Sequence, residues 1–420
     1  MQRHPWRLYL GLLFAAGSAA QNANPPRALT WQEIQERFRT NNPTLLAGKF
    51  TIDEARADEI TAYLRPNPNI TLGWDQLTPF TTNPYRPIWQ SYVFGDFDYL
   101  HERQHKRELR LASARQATAI TMSAQSDLER TLTFNLRDAF VRVLLAQAVV
   151  AVARENLAYY DKALSVNADR YRAGSIAKVD LQRLELQRVQ FASDLEASKV
   201  DLRTAKIDLL TLLRDRTPVE RFDVTGAFDF EEPVTTLAEL RASALDSRPD
   251  LREARQSLDK ARTDHQLAVA NGSTDPTFGV AGSHQPPPLN TYIGFSVSFP
   301  LRIFDRNQGE KAHTLLDITR NERLSDAAEI TALHDVDSAY ATLEGTLELL
   351  RPYKTKYLKE ADEIRSTVSF AFEHGAASLL DFLDAQKSYR DTQLSYVNLV
   401  GSYLSAANQL NFAVGREVIR

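Results

Sequence analysis

The sequence predicts a mainly α chain with a small transmembrane β part, and three observations predict it. One helical turn is written twice, about 200 residues apart, the spacing of a large structural repeat. The first copy reads Arg172-Ala173-Gly174-Ser175-Ile176-Ala177-Lys178-Val179-Asp180-Leu181, and the second reads Glu373-His374-Gly375-Ala376-Ala377-Ser378-Leu379-Leu380-Asp381-Phe382. Each half also holds a pair of short segments in which apolar residues alternate with polar or small ones. A stretch from about His101 to Arg172, free of proline, follows the first pair.

Composition sets the class. Charged residues make up 25% of the 420-residue chain with a formal net charge of -4, so no basic surface points to nucleic acid. The chain has no cysteine. Disulfides, thiolate metal sites and a lipid on a processed cysteine are thereby excluded. Arg3 and Arg7, an apolar run from Leu8 to about Ala16, and small residues at Ser18 and Ala20 read as a signal peptide over 1–20, cleaved before Gln21. Beyond it no apolar run approaches the ~18 residues of a membrane-spanning helix. Any membrane insertion must then be by β-strands.

The elements fall into a first repeat, 21–235, and a second, 236–420. Each opens with a capping box: Thr30 before Trp31-Gln32-Glu33 and Thr236 before Leu237-Ala238-Glu239. The helices so started run to about Leu64 and Ala270, with matching proline steps at Asn42-Pro43 and Arg248-Pro249. Period-two segments then predict hairpins within 69–97 and 276–299, with strands at 69–77 and 88–97 and at 276–284 and 291–299. About nine residues suffice for a tilted strand to cross a membrane. Trp74, Phe80, Tyr85, Trp89 and Tyr92 stand where a barrel carries its aromatic girdle.

A helix of unusual length comes next. Leu128, Leu132, Leu136, Phe140 and Leu144 keep an i,i+4 stripe, widened by Ala139, Val143, Ala146 and Val150, as in a helix that packs against two neighbours. Some 70 residues reach on the order of 105 Å, whereas the return from Val179 to Leu213 covers only ~55 Å. Stacking the helix 236–270 end to end on that return restores the length, and 31–64 would complete the last helix, about 379–414, in the same way. The second pairing would join the two chain ends around a closed ring of subunits. Four strands are too few for a membrane barrel, which starts at eight, so several copies are required.

At Val297-Ser298-Phe299-Pro300-Leu301-Arg302-Ile303-Phe304-Asp305-Arg306-Asn307-Gln308-Gly309 the chain resembles the outer-membrane efflux proteins, the TolC-like outer-membrane factors. It is most similar to the branch serving heavy-metal resistance pumps. Pro300, Arg306, Asn307 and Gly309 mark this strand-to-helix junction. The resemblance covers the mature chain almost end to end, and the tip turns at Gly174 and Gly375 are its second good match. It implies a homotrimer in which long helical hairpins form an α-barrel tunnel, and four strands per chain join a shared 12-stranded barrel. Such a chain sits in the outer membrane, against its lipid, with a long periplasmic portion. Its implied partners are a periplasmic membrane-fusion adaptor and an inner-membrane transporter, for this branch a pump of the RND type. Substrates are conducted passively; no catalytic residue, cofactor or metal site is expected.

The same resemblance implies a gate at the periplasmic mouth from Asp381 and Asp384, which share a helix face. On the residues alone, Asp381 and Asp384 are equally first-turn acids favoured by the helix dipole. Adaptor contacts fall at the tips: Gly174, Val179, Asp180, Leu181, Gly375, Leu380 and Phe382, of which the apolar Val179, Leu181, Leu380 and Phe382 equally suit burial between neighbouring tips. Two family positions that hold a tyrosine and an arginine are Phe372 and Ala377 here. Two other readings stand beside this one. His101-Glu102-Arg103-Gln104-His105 fits H-E-x-x-H, which on a helix would make a secreted zinc peptidase with Glu102 as general base. The repeated helices alone would also suit a soluble periplasmic coiled-coil scaffold.

Overall fold

The computed structural model describes residues 28–77, 79–80, 84, 88, 91–232, 235–285 and 290–419. The signal peptide, and Tyr85 and Trp89 of the expected girdle, lie outside the described residues. The elements run α1 (Trp31–Asn41), α2 (Pro43–Tyr63), β1 (Asn69–Asp75), β2 (Tyr92–Leu100), α3 (Lys106–Arg172) and α4 (Lys178–Leu213). The second half follows with α5 (Leu237–Ser247), α6 (Pro249–Asn271), β3 (Thr277–His284), β4 (Thr291–Ser298), α7 (Gln308–Pro352), α8 (Leu358–Glu373) and α9 (Leu379–Val414).

Both capping boxes form: Thr30 and Glu33, and Thr236 and Glu239, satisfy each other's backbone N–H groups. Each opening helix, expected to be continuous, is two helices. A residue before proline is pushed out of the helical region, and Asn42 and Arg248 adopt extended ψ of 115° and 124°. Asn42 turns this break into a new start, its Oδ1 accepting from Thr44 N at 2.9 Å and Leu45 N at 3.1 Å.

The expected β2 is displaced. It begins at Tyr92 and runs on to Leu100, because beyond the end of β1 it still pairs with β3 as far as Leu100 opposite Thr277. The four strands make one antiparallel sheet in the order β1-β2-β3-β4. The second long leg also departs from the plan. The proline-free α3 is 67 residues long, about 100 Å, but α7 stops at Pro352 and passes through a π-helical turn, Tyr353–Tyr357, before α8 resumes. Proline removes one backbone donor and crowds the preceding turn; a π turn absorbs the misfit.

The half-length helices stack end to end, but within each repeat rather than across repeats. α4 and α2 lie in line along α3, while α9 and α6 lie in line along α7 and against the other side of α3. Hydrogen bonds set the register. Gln125 reaches Leu45 O, and Arg110 reaches Ala62 O and Leu64 O, so α2 runs antiparallel to the membrane-side half of α3. The chain leaving α4 doubles back beside α1, where Leu29 N donates to Asp223 O at 2.9 Å and Thr225 N to Leu29 O at 2.9 Å. That short parallel bridge places α2 at the end of α4. The chain ends therefore do not close a ring by completing each other's helices.

Stacking creates a problem at each joint, since a helix leaves its last carbonyls without partners. At the joint of α9 and α6, Arg130 Nη1 donates to Phe412 O at 2.6 Å, Arg248 Nη1 to Ala413 O at 3.2 Å, and Ser247 Oγ to Val414 O at 2.6 Å. Arg248 is buried and is held by Asp250 at 2.6 Å and Asp335 at 2.9 Å. Burial works against its charge, but the two carboxylates more than offset it and hold its pKa above the ordinary value. For Asp250, burial pushes the carboxyl up, yet hydrogen bonds from Arg248 and the charges of Arg248 and Arg130 bring it below the usual carboxylate value.

Arg248→Ala is expected to destabilise the protein by about 2 kcal/mol. That is less than the ~3–5 kcal/mol of a fully buried pair, because the carboxylates keep partial access to water. Thermal unfolding in detergent, followed by far-ultraviolet circular dichroism, checks it; an unchanged midpoint contradicts the joint. A depressed folded-state carboxyl gives stability that is complete above the unfolded value of about 4 and is lost as pH falls through the folded one. Acid unfolding of Asp250→Asn should accordingly lose part of the pH dependence below about pH 4 that the parent protein shows.

Candidate functional site

The sheet register sorts its side chains onto two faces. Ile70, Phe97, Val280 and Phe295 stand in one cross-strand row; Leu72, Gly95, Gly282 and Ile293 form the next, and Tyr99, Phe278 and Val297 another on the same face. Ile70, Leu72, Ile293 and Phe295 are strongly exposed there, 70–83%. The opposite face carries Asn69, Asp98, Gly279 and Ser296 in one row, and Thr71, Asp96, Ala281 and Gly294 in the next. One face is built for lipid; the other is polar or small through these two rows, and nearer the hairpin ends it carries Phe94, Ser283 and Tyr292 in one row and Tyr92 in the next, so that of the expected girdle Trp74 stands on the apolar face and Tyr92 on the opposite one. Asp96 and Asp98 are acids that reading the sequence for motifs missed. Their signal was the alternate spacing in Phe94-Gly95-Asp96-Phe97-Asp98, legible only once the register is known.

At the far end of the hairpins, Gly174 and Gly375 have φ of 74° and 75°, the left-handed region where glycine avoids the penalty of a Cβ. The turns close alike, Ser175 N donating to Arg170 O at 2.8 Å and Ala376 N to Ala371 O at 2.7 Å. Val179 and Leu380 are 53% and 73% exposed, whereas Asp180 and Leu181 are half-buried. Phe382 takes the buried alternative. At 3% exposure it stacks on Phe372, ring centroids 4.9 Å apart, in a cluster with Tyr160, Leu184, Phe191 and Leu379 that joins the two hairpins. Phe372 serves this packing, and Arg170 Nη1 donates to its carbonyl at 3.2 Å.

Asp381 and Asp384 lie on the exposed face of α9, away from buried Phe382, Ala385 and Gln386. Asp381 is partly committed, since Ser378 Oγ donates to it at 2.7 Å and Ser378 N at 3.0 Å, completing a capping box. Those hydrogen bonds hold its carboxyl below the ordinary range. In the first copy the capping position is Ala177, which has no side chain to offer.

The strand-to-helix junctions share a left-handed residue before each long helix, His105 with φ 55° and Asn307 with φ 60°. Asn307 Nδ2 donates to Ala268 O at 2.8 Å, and its N–H to Asp305 Oδ1 at 2.8 Å. Arg306 Nε reaches Arg302 O at 3.2 Å, Pro300 O accepts from Thr274 Oγ1 at 3.2 Å, and Gly309 is exposed at the start of α7. In the first junction, buried Lys106 is held by Asp275 at 2.6 Å.

This geometry removes the peptidase reading. His101, Glu102 and His105 precede α3 and do not share a helix face, and Glu102 is engaged by the guanidinium of Arg110. Among the described residues no group of three or more His, Cys, Asp or Glu could hold a metal ion.

Residues 240–416 match the model of the Outer membrane efflux protein family. A cobalt-zinc-cadmium resistance protein, CzcC of Cupriavidus metallidurans, is 22% identical over 74% of each chain. The structure of CusC superposes with a TM-score of 0.76 at 18% identity over 95% of this chain and 96% of that one. The open state of the Neisseria gonorrhoeae MtrE outer membrane channel gives 0.74 at 16% identity over 94% and 90%. These likenesses give the fold its class from strand to tip. The family model falls on the run from α5 to the end of α9, which repeats the plan of α1 to α4, so the chain is similar to outer membrane efflux proteins in sequence over its second half and in fold over nearly its whole length.

Proposed function

We propose that three copies of this chain form the outer-membrane exit duct of a tripartite efflux system. The duct passively conducts substrates delivered through a periplasmic membrane-fusion adaptor from an inner-membrane transporter. The observation that carries this reading is where the protomer leaves apolar surface uncovered. The two flanks of the helical wall do so: Phe50, Ile60, Leu186 and Val200 on α2 and α4, and Leu316, Leu324, Ile330 and Leu349 on α7. α3, between them, is covered on both sides by α2 with α4 and by α6 with α9.

Two different apolar flanks facing opposite ways define a head-to-tail contact, which closes into a ring when the rotation allows. The sheet leads to the same arrangement, because β1 and β4 each keep one unpaired edge. An open edge is a template for another strand. Joining β4 of one copy to β1 of the next gives 12 strands from three copies, above the minimum of eight. The register then turns Asp96 and Asp98 into the lumen.

The exposed tips, with Val179 and Leu380, are the surface for the adaptor; the relative named for cobalt, zinc and cadmium resistance supports a metal-resistance system, for which we propose a transporter of the RND type. Asp381 and Asp384 of three copies would set six carboxylates round the periplasmic mouth, raising local cation affinity.

Leu324→Arg and Phe50→Glu, one on each flank, should each shift the detergent-solubilised protein from trimer to monomer mass in light scattering after chromatography. A trimer that survives both changes would contradict the ring. Asp384→Asn, free of any cap, should weaken cation block of single-channel conductance in planar bilayers, and Asp381→Ala with Asp384→Ala should weaken it further. Unchanged block in both variants would sink the gate.

A further inference from the structure

Midway along the wall, Arg130, Phe134 and Arg137 recur at i, i+4 and i+7 on one face of α3. They face Asn408 and Phe412 of α9 and Trp31 of α1 across a cavity of about 310 Å³. A second cavity, about 730 Å³, begins on the other side of Trp31 and Arg137, toward the loop at 225–231. Both volumes lie within the range of small-ligand sites, about 300–1,000 Å³.

Four arginines line the first cavity; Arg416 is exposed, and the other three are not equivalent. Arg39 Nε meets Glu129 at 2.8 Å. Arg130 is bound to Asp127 at 2.6 Å and to Phe412 O at 2.6 Å. Arg137 is half-buried and makes no hydrogen bond to any described residue. Its guanidinium lies over the Trp31 ring, 4.6 Å from the centroid. Burial holds its pKa below the ordinary arginine value, and the exposed Glu417 offsets that only at a distance. A guanidinium has five N–H donors and cannot shed its charge at neutral pH. One that is half-buried without an acceptor calls for an anion. Beside it Gln35 and Thr133 have side-chain polar groups uncommitted among the described residues, and Phe134 and Phe412, 4.8 Å apart, supply an apolar wall.

We infer that this cavity binds a small aromatic carboxylate, its carboxylate paired with Arg137 and its ring against Phe134 and Phe412. A planar guanidinium matches a carboxylate in two parallel hydrogen bonds. The site lies in one chain, apart from the tips and the lumen-facing strands, so it stands whether or not three chains form the duct.

Titration calorimetry on the full-length protein in detergent tests it, with benzoate as the probe and benzyl alcohol as its uncharged counterpart, each against empty micelles. Benzoate should bind saturably, one per chain, and benzyl alcohol should not. Arg137→Gln should weaken benzoate by about tenfold or more. Glu417→Gln should tighten it, because a competing carboxylate is gone. Equal binding of benzyl alcohol, benzoate binding untouched by Arg137→Gln, or no saturable benzoate binding would overturn the inference. Should Arg137→Gln fail to fold, the contrast between probes and the response of the surface variant Glu417→Gln decide it: tighter binding supports the site, and unchanged or weaker binding refutes it.

Discussion

Everything in this molecule depends on making a ~100 Å wall from helices half that long. A single helix, α3, spans the wall, and each of its flanking tracks is two helices laid end to end. Each joint brings the bare carbonyls of one helix against the start of the next, in a place water reaches poorly. The second joint meets that cost with a cluster of donors, Arg130, Ser247 and Arg248, on three successive carbonyls, and with Asp250 and Asp335 to balance the buried charge. The first joint uses a different device. There α4 ends on Arg214 in the left-handed region, and Asn42 restarts the helix by capping its first free N–H groups. One structural need has been met by two chemistries, which explains why the repeat is easier to see in helix lengths than in residue identities.

A wall built this way leaves its two edges raw. α3 and the α6 and α9 track are covered from both sides, while the α2 and α4 track and α7 each keep an apolar flank exposed. The sheet has the same incompleteness at β1 and β4. Helical and β parts thus demand neighbours at the same two edges, and a ring of copies satisfies both at once. Apolar side chains on the outer face of the sheet and small or acidic ones on the other follow from the same closure.

Much of this was legible in the chain before any coordinates. The paired glycines, the two capping boxes and the alternation of Ile293, Phe295 and Val297 each carry a local backbone demand, so they survive as signals. What was not legible depends on pairing at a distance. Asp96 and Asp98, on the polar face of the sheet, are ordinary residues until β2 is set against β1 and β3. Helix lengths showed that the short helices must be completed, but arithmetic cannot tell which partner completes which. The answer lay in a two-hydrogen-bond bridge between Leu29 and the residues around Val224, too small to read from periodicity. Likewise spacing alone left the tip residue Phe382 equally a surface anchor or a buried packing residue, and only its stacking on Phe372 decides.

The two long legs also differ in a way that bears on how such a duct could open. α3 runs unbroken from strand to tip, so the first hairpin moves, if at all, as one rod. In the second hairpin the leg yields at Pro352, and the residues on either side of it are tied to the mid-wall loop, Arg351 to Glu232 at 2.9 Å and Lys354 to Asp229 at 2.8 Å. These pairs are exposed, and exposed pairs contribute little each. A break in the helix ladder whose polar braces are surface pairs, with Lys354 also over the Phe230 ring at 4.7 Å, is a place where bending costs less than along an unbroken helix. The hairpin below it carries Asp381 and Asp384. The break at Pro352 and the exposed acids Asp381 and Asp384 therefore belong to the same hairpin, while the opposite hairpin holds the unbroken α3.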